Sequence, residues 1–168
     1  MLVDEAAEIL RSTGTGSLRR MLDELDVPTS ELDDQQLSAV VDAVAREFEG
    51  QRPFEPGTPK SLESVLYALG WLDRLAETLR PVVLDADLSL TLVTTLWMWA
   101  SNQRYLPQHR KDVLIWDGDR ALMCTVCSRN SAAEPVNAGD PFPSGHIAPP
   151  AHGRCRCTLR APRDISYR

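Results

Sequence analysis

The stretch from Thr58 to Pro81, TPKSLESVLYALGWLDRLAETLRP, decides the class of this fold. Leu62, Val65, Leu66, Leu69, Leu72, Leu75, Ala76 and Leu79 recur at intervals of three and four, the period of one face of an α-helix. Thr58 stands where an N-cap hydroxyl would accept an orphan N–H. Pro59 takes the first helical position, where its missing donor is no loss. Arg80-Pro81 closes the run, so an amphipathic helix packed on a core is predicted between Thr58 and Arg80.

The same period returns on both sides. Leu2, Ala6, Ile9 and Leu10 suit a short first helix that ends at the STGTGS loop, where two glycines break it. Ser17 is placed to cap a second, with Leu18, Met21, Leu22 and Leu25 on its apolar face and Pro28 beyond it. A third is predicted from Asp33 to Phe48, carrying Leu37, Val40, Val41 and Val44, with Gly50 just past its end. A fifth starts near Asp85 or Asp87 and passes through Leu88, Leu92, Leu96, Trp97 and Trp99 to about Gln103. Trp97 and Trp99, two apart, point to different sides of that helix, which makes one of them a candidate interface residue.

Charge and composition change after this helical part. The chain has 168 residues, 43% hydrophobic and 25% charged, enough for a real core. Residues 1–103 hold eighteen acids against eight bases, whereas residues 104–168 hold six against ten. A boundary is therefore expected at Tyr105-Leu106-Pro107, between an acidic helical domain (1–105) and a Pro/Gly-rich module with a basic tail (106–168). The N-terminus has acids where a secretory signal needs positive charge, and LSLTLVTTLWMWA is too short to cross a bilayer. A soluble protein made in a reducing cytoplasm is expected, where clustered cysteines serve metals more often than disulfides.

The second part carries the chemistry. VLIW (113–116) reads as a short strand followed by an Asp-Gly-Asp turn. Cys124 and Cys127 form a CxxC pair, and a long loop leads to His146, Pro149-Pro150, His152 and the pair Cys155, Cys157. A CxxC turn brings two thiolates to one zinc ion, and a second chelating element must return to complete the tetrahedron. His152, Cys155 and Cys157 compete for that second half. Such a zinc would be structural, replacing a core that the segment has too few apolar residues to build. Free thiols or disulfides are the competing use of the four cysteines. His146 reads as a loop residue and His109 as solvent-exposed. The late arginines, Arg154, Arg156, Arg160, Arg163 and Arg168, form the one basic concentration, suited to DNA phosphates or an acidic protein surface. Arg156, between two candidate ligands, is expected to pair with a loop carboxylate such as Asp140 or with a partner surface.

No phosphate-cradling glycine loop, Ser/His/Asp set or paired carboxylates can be assembled, so neither an enzyme nor a small-molecule substrate is expected. The fold expected is mainly α: four to five helices followed by a small, irregular, zinc-stapled Cys/His module.

The segment from Trp116 to Leu159, with its cysteine pair, its glycine/proline loop and the ending APPAHGRCRCTL, resembles the C-terminal signature of the phage Mu F-like minor head proteins, or phage head morphogenesis family. Cys124 and Cys127 match the pair. Pro149, Pro150, His152, Cys155, Arg156 and Cys157 match the ending in order and spacing. The helical part does not match residue by residue, and WASNQRY (99–105) stands where the family carries an Arg-Thr-Glu-like element. The resemblance implies a low-copy virion component acting in head assembly or head–tail connection, with portal or major capsid protein as partner, no membrane contact, and packaged DNA as a further partner. A zinc-containing nucleic-acid-binding module is the alternative from another class.

Overall fold

A computed structural model describes residues 4–48, 56, 62–119 and 121–162, apart from the side chains of residues 62, 64 and 65. The fold is mainly helical. In chain order it runs α1 (Glu5–Ser12), α2 (Thr15–Glu24), α3 (Asp34–Glu47), α4 (Leu62–Thr78), α5 (Ala86–Gln108), β1 (Val113–Asp117), α6 (Thr125–Ala132), β2 (Val136–Asn137) and β3 (Thr158–Arg160).

Local chemistry explains most of the helix ends. Asp4 caps α1 by accepting from the Ala6 N–H, and Asp85 caps α5 by accepting from the Leu88 N–H. Asp33 and Gln36 form a reciprocal capping box at the start of α3. Ser17 is not a cap. Gly14 takes that position for α2, and Ser17 lies inside the helix, where its Oγ accepts from Arg20. Only Thr13 and Gly14 separate α1 from α2, because glycine is tolerated at an N-cap and in a first turn. Thr58, Pro59 and Gly50 lie outside the described residues.

The helices enclose one large apolar cluster, with α5 packed against α1, α3 and α4. Trp97 is its centre. Its ring stacks on Phe48 at a centroid distance of 3.6 Å and meets the edge of Trp71 at 4.7 Å. Trp71 sets the buried face of α4, which runs through Ala68, Leu72, Leu75, Ala76 and Leu79. Leu66, expected on that face, is 58% exposed: at 3.6 residues per turn it falls on the side of α4 away from Ala68, Leu72, Leu75 and Leu79. Trp99 is half-buried and packs on the same cluster as Trp97.

Helix α5 does not stop at Gln103. It continues to Gln108 with Pro107 in its last turn, so it runs through the expected boundary at 105/106. A second apolar cluster begins at Tyr105 and gathers Leu114, Trp116, Phe142, Leu159 and the buried cysteines. Around it lies a small antiparallel sheet of order β2-β1-β3, with Trp116 opposite Leu159. VLIW forms the central strand as expected, and the module expected to be irregular also contains α6, β2 and β3. The outer edge of β3 is closed by side chains of α5. Asn102 Oδ1 accepts from the Leu159 N–H at 2.8 Å, and Tyr105 Oη accepts from the Ala161 N–H at 2.8 Å. His109 is not solvent-exposed: it stacks on Tyr105 and bonds to Asp112 at 2.8 Å.

Candidate metal centre

Cys124 is the N-cap of α6, and its sulfur accepts from the Cys127 N–H at 3.4 Å. One turn of helix therefore aims both thiols the same way. The returning segment passes the cis Pro149-Pro150 bond and delivers His152, Cys155 and Cys157 opposite them. The Asn130 side chain holds the intervening loop to α6, bonding the Ser144 hydroxyl at 2.8 Å and accepting from its N–H at 3.0 Å. His146 bonds to Ser144, away from the sulfurs, as its reading as a loop residue expected.

All five candidate ligands meet. His152 Nε2 lies 3.2 Å from Cys124 Sγ and 3.5 Å from Cys127 Sγ, and Cys127 Sγ lies 3.6 Å from Cys155 Sγ. Two triads result, Cys124/Cys127/His152 and Cys127/Cys155/Cys157, with the ligand atoms of each within 4.8 Å of one another. Cys127 belongs to both. Cys124 is the exposed member, whereas Cys127, Cys155 and Cys157 are buried. Cys157 is wedged beside Gly118, where an added Cβ would stand 3.0 Å from its sulfur.

Burial and bonding among the sulfurs move the thiols in opposite directions. Thiol donation from Cys127, then from Cys157, holds Cys155 well below the usual thiol range despite its burial. Cys127 is pushed up because it donates to Cys155 and Cys157 and is buried. In Cys157 the bond with Cys127 favours the thiolate, but Cys155 and burial outweigh it and push the thiol up. Cys124 is lowered: burial opposes its thiolate, and the bonds from Cys127 with the nearby His152 prevail. The Cys155 sulfur holds a proton on His152 against burial, and with the Gly153 carbonyl it pushes this pKa up to about 9. His152 Nδ1 faces the Gly153 carbonyl at 2.7 Å, which leaves Nε2 toward the sulfurs, the arrangement a ligating imidazole uses.

The arginines divide. Arg154 pairs with Asp87 at 2.7 Å and Arg160 with Asp117 at 3.5 Å, so both are committed within the chain. No hydrogen bond or ion pair joins Arg156 to Asp140, whose carboxylate accepts from Asn137 instead. Arg163 and Arg168 lie outside the described residues. Asn102 is the residue that sequence reasoning missed. Its Nδ2 reaches the Cys157 carbonyl at 3.4 Å, and a buried amide on an otherwise apolar helix face was the available signal.

The chain is thus a mainly helical protein whose C-terminal Cys/His cluster can hold a metal ion. No protein-family model matches it, and no curated protein or solved structure is significantly similar to it. Among the described residues no helix is long and apolar enough to cross a membrane.

Proposed function

We propose that this chain is a structural component of a tailed-phage particle. It acts as a minor head protein at the capsid or portal, and a structural zinc ion staples its C-terminal module. One observation carries the reading. The string Pro149-Pro150-x-His152-x-x-Cys155-Arg156-Cys157, which carries the resemblance to the Mu F-like proteins, is the segment that folds back onto Cys124 and Cys127. The parts of the signature that are far apart in sequence are neighbours in space.

Zinc suits the donors. Four thiols and one imidazole, two of them on a helix-capping CxxC turn, form a sulfur-rich nitrogen/sulfur set for a tetrahedral ion. The role is structural because three of the buried members of the second apolar cluster are themselves cysteines. Without an ion that cluster is small for a module of this length. Its partner is portal or major capsid protein. The DNA-binding alternative has less to work with, since Arg154 and Arg160 are spent on carboxylates of the same chain.

The test has two arms. Elemental analysis of the purified protein should find one zinc per chain. Mass spectrometry of purified particles from an infection expressing the tagged chain should find it in few copies, cross-linked to portal or capsid protein. Particles without the chain would sink the virion reading whatever the zinc result.

A further inference from the structure

The turn His152-Gly153-Arg154 is tied at one end to the sulfurs and at the other to the helices. The Gly153 N–H donates to the Leu25 carbonyl, just past the end of α2, at 3.1 Å. The Arg154 N–H donates to Thr95 Oγ1 of α5 at 3.2 Å, and the Arg154 guanidinium reaches the Asp87 carboxylate at 2.7 Å. The fit is close: a Cβ at Gly153 would stand 2.9 Å from Val27 Cγ2 and 3.3 Å from Thr91 Cγ2. Arg154 has φ of 61°, the left-handed region that a non-glycine residue occupies when its surroundings hold it there. Those surroundings are Thr95 and Asp87 on one side and the His152–Cys155 ligand segment on the other.

We propose that this turn is a latch through which metal occupancy sets the docking of the α2 end and the first turns of α5 on the Cys/His module. The proposal rests on the zinc reading above and adds what the ion controls. A bound ion fixes His152 and Cys155, which flank the turn and hold Gly153 and Arg154 in register with Leu25 and Thr95. Release of the ion frees the flanks, and the left-handed residue then has less to hold it. Coupling between two sites is reciprocal, so loosening the helical anchor must weaken metal binding by the same factor that metal loss weakens the anchor.

Hydrogen–deuterium exchange on the full chain, zinc-loaded and then chelated, tests one direction. Exchange should rise about tenfold at Gly153 and Arg154, whose N–H groups make the bonds, and at residues 25–27 and 87–95, and remain unchanged in the middle of α3. Competition with a chromophoric chelator tests the other. Thr95→Val is isosteric and touches no ligand, and it should weaken zinc binding about fivefold; Asp87→Asn, on an exposed side chain, should weaken it in the same direction. Zinc bound with equal affinity in both variants, together with unchanged exchange on chelation, overturns the latch and leaves the zinc staple standing. Absence of zinc from the purified wild-type protein overturns both.

Discussion

Asn102 meets the edge of β3 as a neighbouring strand would: its Oδ1 accepts from the Leu159 N–H at 2.8 Å, and its Nδ2 reaches the Cys157 carbonyl at 3.4 Å. A buried strand edge needs such partners, and here one amide side chain provides a donor and an acceptor. Asn102→Ala leaves both backbone groups buried without them. A loss of about 2–4 kcal/mol is expected in urea unfolding, with faster exchange of the Leu159 amide. Unchanged stability would show that the edge finds other partners.

Cys127 is common to both triads of ligand atoms, and Cys124 belongs to one. Cys127→Ser should therefore abolish zinc binding, giving a melt that coincides with the chelated wild type. Cys124→Ser, at the exposed corner, should retain weakened binding. With free zinc a thousandfold above Kd, the ion is worth about 4 kcal/mol, so chelation should lower the melting temperature measurably. Equal zinc content in the two variants would contradict the shared position of Cys127.

Gly118 follows β1 and faces the cluster from the side of the sheet. An added Cβ would stand 3.0 Å from both Cys157 Sγ and the Met123 methyl, and 3.7 Å from the Cys157 Cα. The methionine tip can swing away, but the cysteine, fixed through its backbone by Asn102, cannot. Gly118→Val should cost about 1–3 kcal/mol and displace the Cys157 sulfur, read as a shifted thiolate-to-metal absorption in the cobalt-substituted protein. An unchanged spectrum would show that Cys157 is not held against the ion.

Zinc binding should strengthen as pH rises. With His152 pushed up to about 9, chiefly by Cys155, an ion at neutral pH must displace its proton as well as those of the raised Cys127 and Cys157 thiols. Proton release on binding, measured by calorimetry in buffers of different ionisation enthalpy, checks this. In the metal-free fold two contributions oppose each other. A histidine raised above its unfolded value of 6.5 contributes stability that is complete below pH 6.5 and lost as pH climbs through 9. The lowered Cys155 thiol works the other way over the same window, giving up its proton on folding as His152 takes one up. Chelated wild type should therefore show little net slope; His152→Gln, which removes the histidine's part, should make stability rise with pH there.

Sequence periodicity located α1, α3 and α5 because their apolar positions are numerous and their acidic caps stand in place. It also brought together the five Cys and His residues, since chelating spacings are local signals. It misjudged Leu66, because α4 carries apolar residues around more than one face and the buried one, which holds Trp71 against Trp97, lies on the side away from Leu66. It was silent on α6. The segment TVCSRNSA has no apolar stripe, and the helix is held by the Cys124 sulfur cap and by the Asn130–Ser144 bonds to the following loop, neither of which periodicity reports. It could not foresee β3, three residues long, whose pairing with β1 is decided by Asn102 and Tyr105 of a helix more than fifty residues earlier.

Helix α5, about 35 Å long at its rise per residue, serves both apolar clusters, with Trp97 in one and Tyr105 in the other. This fixes what can be transplanted. A graft of the Cys/His segment beginning at β1 would leave the Leu159 and Ala161 amides and the Cys157 carbonyl without partners. The smallest portable cassette begins at Asp85, the cap of α5, and any chimera built on this module inherits that helix as its handle.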